Sequence, residues 1–227
     1  MGRAVIEAVQ ADRDLTLAAT LDIGDALAPI AQADVLVDFT RPEGTLEHLK
    51  HARAAVIGTT GFSASQESAI RERAKSIPIV MAPNFAVGVN VLFRLAGTAA
   101  AALGDAYDVE IVEAHHRHKV DAPSGTALKL GEIIASSLKR DLQKEARHGR
   151  HGDTGERPAK QIGFHAIRGG DIVGEHTVIF AGSGERVEVT VRSQSRMTYA
   201  AGALRAAKWL KGRPAGLYDM SDVLGMR

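Results

Sequence analysis

The chain has no cysteine. That absence removes disulfides, thiolate metal ligands and a thiol nucleophile, and with them zinc ribbons, iron–sulfur clusters and thioester-forming dehydrogenases. An excess of either charge is also missing: 28 Lys plus Arg face 27 Asp plus Glu, for a formal net charge of +1. No global field exists to hold nucleic acid or an anionic membrane, so any anion site must be local. No apolar run approaches the ~18 residues that a bilayer-spanning helix needs, and no cleavable signal pattern opens the chain. A soluble, cytoplasmic protein without nucleic-acid or membrane partners is expected. Aromatic residues are scarce at 4%, whereas 45% of the 227 residues are hydrophobic and 23 are glycine. This length buries a core in one large domain or two small ones, and a mixture of Ala, Val, Ile and Gly suits an α/β protein with tight strand-to-helix turns.

The first half alternates between two periods. Gly2 to about Asp12 reads as a helix, Leu15 to Leu21 as a strand, Val35 to Phe39 as a buried strand, and Pro42 to Arg53 as a helix opened by proline. Ala55 to Ile57 and Ile77 to Met81 read as further strands, separated by a helix from Ser63 to Ser76 with a Ser63/Gln66 capping pair. Strands separated by amphipathic helices require crossovers, so a parallel, doubly wound sheet is expected, with ligands at the strands' carboxyl ends. After an Ala-rich helix from Val87 to Leu103 the pattern changes. Tyr107 to Ala114, Gln161 to Arg168, Ile172 to Ala181 and Arg186 to Val191 read as strands of an α+β segment with antiparallel character, and Thr126 to Lys139 as a helix. The basic stretch from Lys139 to Lys160 reads as a mobile surface loop. In the last helix, Thr198 to Lys211, Trp209 reads as a core or interface anchor.

The densest polar cluster is Glu113-Ala-His-His-Arg-His-Lys-Val-Asp-Ala-Pro-Ser-Gly-Thr126. It leaves a strand and enters a helix, where Ser124 can cap and the first-turn N–H groups of Gly125 and Thr126 offer a receptor for a carboxylate or phosphate. His115, His116 and Lys119 add donors to the same place. A metal reading of the three histidines finds no cysteine and no helical His pair at the zincin spacing, so no metal is expected; a solvated basic loop is the plainer alternative. Three other places are candidates with an equally plain alternative. Gly58-Thr59-Thr60-Gly61 lets backbone approach a ligand or merely connects strand to helix. Asp22 accepts from a ribose hydroxyl or is an exposed turn carboxylate, and Arg41 faces a cofactor or starts a helix.

Taken together the motifs resemble the dihydrodipicolinate reductase family. The resemblance rests on Asp38-Phe-Thr-Arg-Pro-Glu-Gly44, Val56-Ile-Gly-Thr-Thr-Gly-Phe62, Asn84-Phe-Ala-Val-Gly-Val-Asn90, Glu113 through Thr126, Gly169-Gly-Asp-Ile-Val-Gly-Glu-His176 and Ser195-Arg-Met-Thr198. It implies hydride transfer from NADH or NADPH to an unsaturated cyclic dicarboxylate, giving tetrahydrodipicolinate on the route to diaminopimelate and lysine. By motif position, His115 and Lys119 would be the catalytic pair, and His116, Gly125 and Thr126 would hold substrate carboxylates. Gly58, Thr59, Thr60, Ala82, Pro83, Asn84 and Phe85 would line the dinucleotide site, with Asp22 as the acidic ribose partner. The resemblance further implies a Rossmann-like dinucleotide domain from residues 1–86 and 197–227, an α+β substrate and oligomerisation domain from residues 87–196, and a homotetramer.

The chain departs from the family pattern at three places. It begins at Met1-Gly-Arg3, inside the Gly-rich turn that follows the family's first strand, so the expected sheet lacks that strand and most of the phosphate loop. The segment between Asp22 and Asp38 is shorter than in relatives and Ile23 stands where a basic residue is common; Val191 replaces a usual histidine. Weak pyrophosphate binding is the expectation for a chain that starts there. The alternative function is a truncated, non-catalytic dicarboxylate-binding or assembly module, and a metal-dependent hydrolase is a more distant third.

Overall fold

The structure, a computed structural model, describes residues 1–226. In chain order the elements are α1 (Gly2–Ala11), β1 (Leu36–Asp38), α2 (Pro42–Leu49), β2 (Ala55–Ile57), α3 (Ala64–Ala74), β3 (Pro78–Met81), α4 (Val87–Leu103), β4 (Asp108–His115) and α5 (Gly125–Ser137). There follow α6 (Leu142–Glu145), β5 (Ala146–His148), β6 (Ile162–Arg168), β7 (Gly174–Ala181), β8 (Arg186–Ser193), α7 (Met197–Leu210), β9 (Gly216–Tyr218) and α8 (Met220–Leu224). The chain divides into two compact units, residues 1–87 with 196–226, and Gly88–Ser195.

The first unit is built on a four-stranded parallel sheet in the order β1-β2-β3-β9. Strand alternation sends Val56 and Val80 to one face, where Ala203, Ala206 and Leu210 of α7 cover them. It sends Ala55, Ile57 and Ile79 to the other, against Leu49 of α2 and Ile70 of α3. Both faces are therefore buried, which is the doubly wound arrangement, and the strands read as short continuous apolar runs for that reason. The capping pair of α3 is present, with Gln66 N–H donating to the Ser63 hydroxyl and the Gln66 side chain returning to Ser63 N–H. Trp209 packs edge-on to Tyr218 at 5.0 Å, and the Arg213 guanidinium lies 4.0 Å from its ring.

The second unit is a five-stranded mixed sheet in the order β5-β6-β4-β7-β8. β4 pairs parallel to β6 and antiparallel to β7, so α5 and the following segment form the crossover and only the β7–β8 end is a meander. α4 and α5 cover one face: Leu92, Ala96 and Ala100 with Leu130 and Ile134 pack on Val109, Ile111, Phe164, Val178 and Phe180.

Three expectations are corrected. Leu15 to Leu21 forms no strand: Thr16 to Thr20 are exposed, and among the described residues no strand precedes α1 to offer a ladder partner. The stretch from Lys139 to Lys160 is only in part a loop. It contains α6 and β5, and Arg157 anchors it by donating to Glu110, Asp108 and the carbonyl of Val109, while Arg150 donates to both oxygens of Glu110. Residues 87–106 form a helix long and apolar enough by length and composition to cross a membrane, because valine, leucine and alanine raise the average although Asn90 and Arg94 interrupt the run. The burial of Leu92, Ala96 and Ala100 in the core just described accounts for its apolar stripe.

Candidate active site

In the second unit, alternation puts Val109, Ile111, Glu113 and His115 on one face of β4. The first two enter the core under the helices, and the same face then carries a carboxylate and an imidazole into the strand's carboxyl end. Parallel register sets His115 opposite Arg168, the last residue of β6, and antiparallel register sets Glu113 opposite His176 of β7. Three strands thus deliver four polar side chains to one spot.

Glu113 is 1% exposed and its carboxylate is saturated with donors. Arg168 straddles it, NH1 to Oε2 and NH2 to Oε1 at 2.7 Å each. The backbone N–H of Ser124 donates to Oε1 at 3.1 Å, and His115 Nδ1 lies 2.6 Å from Oε2. Burial alone would raise this carboxyl's pKa, but the hydrogen bonds from Arg168 and His115 outweigh it, and the net direction is down. Burial pushes His115 below the usual imidazole value, against the pull of Glu113. His176 is pushed down to about 4, by burial first and then by the neighbouring His115. Its Nε2 lies 3.0 Å from the Ser124 hydroxyl, and its ring stands edge-on to that of His115 at 5.1 Å.

The bond from Ser124 to Glu113 also explains how the segment closes. Residues 116–124 leave β4, and that bond returns the start of α5 to the end of the strand it left. Arg168 NH2 holds the same segment through the carbonyl of Asp121, and Arg117 N–H donates to the carbonyl of Gly170. Ser124 caps α5 by accepting from Ala127 N–H, and a Cβ on Gly125 would meet nothing within 4 Å. The first turn of α5 is therefore open to a ligand at its positive end. His115, His116, Lys119, Gly125 and Thr126 are brought together in this segment: His116 follows the strand with a buried, unbonded Nδ1, and Lys119 pairs with Asp121 at 2.8 Å. Arg168 and His176 are site residues that the pattern of residues 113–126 alone does not reveal; their signal is the sheet register, together with the Gly169 to His176 motif.

In the first unit, Asp38 at the end of β1 is 2% exposed and organises the neighbouring turn. Its Oδ1 accepts from Thr40 N–H at 2.8 Å and from the hydroxyls of Thr40, Thr45 and Thr59, and its Oδ2 lies 2.7 Å from His48 Nδ1. Thr59 is thereby buried within Gly58 to Gly61, while Thr60 is exposed. A Cβ at Gly58 would lie 2.0 Å from the Phe39 ring, and Gly61 is left-handed with open space beside it, so the turn needs both glycines and presents bare backbone outward. Ala82, Pro83, Asn84 and Phe85 follow the adjacent parallel strand β3; Asn84 accepts from Ala86 N–H, and Phe85 is buried edge-on to Phe39. Adjoining strand ends with open glycine backbone fit a dinucleotide. Asp22 is not at a strand end: it lies in an exposed turn closed on Asp25, because the strand expected before it does not form.

Two such units in one chain, a parallel sheet with open glycine turns at its strand ends and a mixed sheet carrying an acid–base cluster, are the architecture of a nucleotide-binding enzyme of two units. Comparison with known proteins makes this particular. Family models described as dihydrodipicolinate reductase, N-terminus and C-terminus, match residues 1–85 and 88–224. The chain belongs to the dihydrodipicolinate reductase family. A 4-hydroxy-tetrahydrodipicolinate reductase of Aromatoleum aromaticum is 55% identical over 254 aligned residues, covering 100% of this chain and 92% of the relative. That of Nitrosomonas europaea is 54% identical, covering 100% and 95%. The aligned spans exceed the chain's 227 residues, so these relatives carry residues inside the span that this chain lacks. A solved structure described as a dipicolinate-bound dihydrodipicolinate reductase from Paenisporosarcina sp. TG-14 superposes with a TM-score of 0.75 at 25% identity, over 96% of this chain and 92% of that one.

Proposed function

We propose that the chain is an NAD(P)H-dependent 4-hydroxy-tetrahydrodipicolinate reductase, forming tetrahydrodipicolinate from the corresponding unsaturated cyclic dicarboxylate in diaminopimelate and lysine biosynthesis. The observation that carries the reading is the return of α5 to the end of β4, which gathers an imidazole, an ammonium and an open helix start in a unit whose family is that of a reductase and whose similar relatives are named as reductases. Bound NADH or NADPH supplies the hydride. Gly58, Thr59, Thr60 and Ala82 to Phe85 would hold it, with Asp22 as a ribose partner only if its turn approaches the site. Residues 1–86 and 197–227 form the dinucleotide domain and residues 87–196 the substrate domain.

His116, Gly125 and Thr126 hold the substrate carboxylates at the positive end of α5. Lys119 neutralises the dianion and delivers a proton to the product as negative charge develops. No finding favours the non-catalytic alternative. A homotetramer forms through the sheet face opposite α4 and α5, where Ile167 is 51% exposed and Thr177 and Ile179 are half-buried. The setting is the cytoplasm, where the reduced nicotinamide pool is available. Calorimetric titration with pyridine-2,6-dicarboxylate, and sedimentation of the same sample, test these assignments. Saturable binding that Thr126→Val weakens, and a species of four chains, are expected; no binding and a monomer would overturn them.

A further inference from the structure

We infer that Glu113 is a positioning residue that fixes His115 as the Nδ1–H tautomer, leaving Nε2 as a bare acceptor, and that Arg168 makes this choice one-sided by holding Glu113 ionised. The inference rests on the reductase reading for its mechanistic consequence. The tautomer itself rests on geometry alone.

Every partner of the Glu113 carboxylate other than His115 is an obligate donor: the guanidinium of Arg168, engaged twice, and the N–H of Ser124. A carboxyl proton on Oε2 would point at a site where Arg168 NH1 already donates at 2.7 Å. The hydrogen in the 2.6 Å contact therefore belongs to His115 Nδ1, and the ionised carboxylate accepts it. Among the described residues no hydrogen bond to His115 Nε2 exists. His176 is committed to the Ser124 hydroxyl and stands edge-on to the His115 ring, which limits its rotation.

The charged and titratable groups facing His115 are Glu113 on its own strand, Arg168 on β6, His176 on β7 and Lys119 in the following segment. Burial is the largest influence on His115 and favours the neutral ring, and Lys119 and Arg168 act in the same direction. A neutral ring with its hydrogen on Nδ1 accepts at Nε2 and has no proton to give there. The proton donor is thus Lys119, with His115 the acceptor that orients a substrate or ammonium N–H or O–H group. This division of labour is built by Glu113, which holds the His115 ring, and by Arg168, which holds Glu113.

The test is two-bond ¹H–¹⁵N correlation spectroscopy of the full chain with labelled histidine at pH 7.5, His115 being assigned by its loss in His115→Gln. A pyrrole-type Nδ1 and a pyridine-type Nε2 are expected. Glu113→Gln, whose amide can donate to Nδ1, should mix the tautomers and move the His115 titration to lower pH by about 1 unit, because an opposite charge has been removed. The acid limb of the kcat profile should move with it. An Nε2–H pattern in the parent overturns the inference, as does a Glu113→Gln spectrum and titration unchanged from the parent; should that variant fail to fold, the parent spectrum decides. Failure of the reductase reading shows separately, as absent NAD(P)H oxidation by the parent with its tautomer intact.

Discussion

Replacing Arg168 by methionine removes a guanidinium while keeping most of the side chain's apolar length, and it leaves Glu113 with two donors in place of four. The carboxylate is 1% exposed, so water cannot substitute for the lost partners without opening the sheet. Breaking a buried ion pair from one side costs about 3–5 kcal/mol. The Arg168 side chain is itself 20% exposed, which puts the expected loss at the lower end, about 3 kcal/mol, including the bond to the carbonyl of Asp121. If the cost is an uncompensated charge, removing that charge must return much of it. Glu113→Gln combined with Arg168→Met should therefore be more stable than Arg168→Met alone, with a coupling of at least about 1.5 kcal/mol in the double-mutant cycle. Native-state hydrogen exchange of β4 and β6 amides in the intact chain is the assay, because two compact units need not unfold together and Trp209 reports only on the first. An Arg168→Met cost below about 1 kcal/mol, or additive effects in the double variant, would refute the view that Glu113 is a buried ionised hub.

Lys119→Ala should lower kcat more than it raises KM, since its proton is needed as charge develops, and His115→Gln should slow turnover by roughly 10²-fold; parent-like kinetics in both would remove the pair from the chemistry. Thr126→Val should weaken dicarboxylate binding by about 1–3 kcal/mol with little change in kcat, read as KM and as affinity for pyridine-2,6-dicarboxylate. His176 is held down to about 4 in the folded chain against 6.5, so the unfolded state takes up the proton first. Its contribution is complete above pH 6.5 and is lost as pH falls through 4, a decline of about 3 kcal/mol that His176→Asn should flatten in acid titrations of stability. Gly202→Ala would bring a Cβ to 1.8 Å from the carbonyl oxygen of Phe85, and a loss of about 1–3 kcal/mol or more in the first unit is expected by thermal unfolding followed at Trp209; an unchanged midpoint would show that α7 can shift.

Local patterns carried much of this architecture because the strands of the first unit are buried on both faces and appear as apolar runs between capped helices. α4, Val87–Leu103, was legible from its Ala-rich apolar run, and α3 through its Ser63/Gln66 capping box. Leu15 to Leu21 misled because β propensity describes a residue's fit to a sheet that must exist beside it, and no described strand does. The stretch from Lys139 to Lys160 misled in the opposite sense: its polarity is that of a solvated loop, but Arg150 and Arg157 are held by Glu110 and Asp108 from a distant strand. That partnership pulls Glu110 down to about 2 and spans more than 40 residues of sequence, beyond any local reading. The site divides similarly. Residues 113–126 are contiguous and were visible as a cluster, whereas Arg168 and His176 join them only through strand register, and Asp38 reaches Thr59 only because β1 and β2 lie in parallel.

The central claim is that this chain transfers a hydride from a reduced nicotinamide to the cyclic dicarboxylate. It is tested most directly by incubating the purified protein with NADH or NADPH deuterated at both C4 positions and freshly generated substrate, then weighing the product. The account predicts oxidation of the cofactor in step with the appearance of tetrahydrodipicolinate one mass unit heavier, and its near-abolition in Lys119→Ala. Substrate-independent cofactor oxidation, or a product that carries no deuterium, would contradict it.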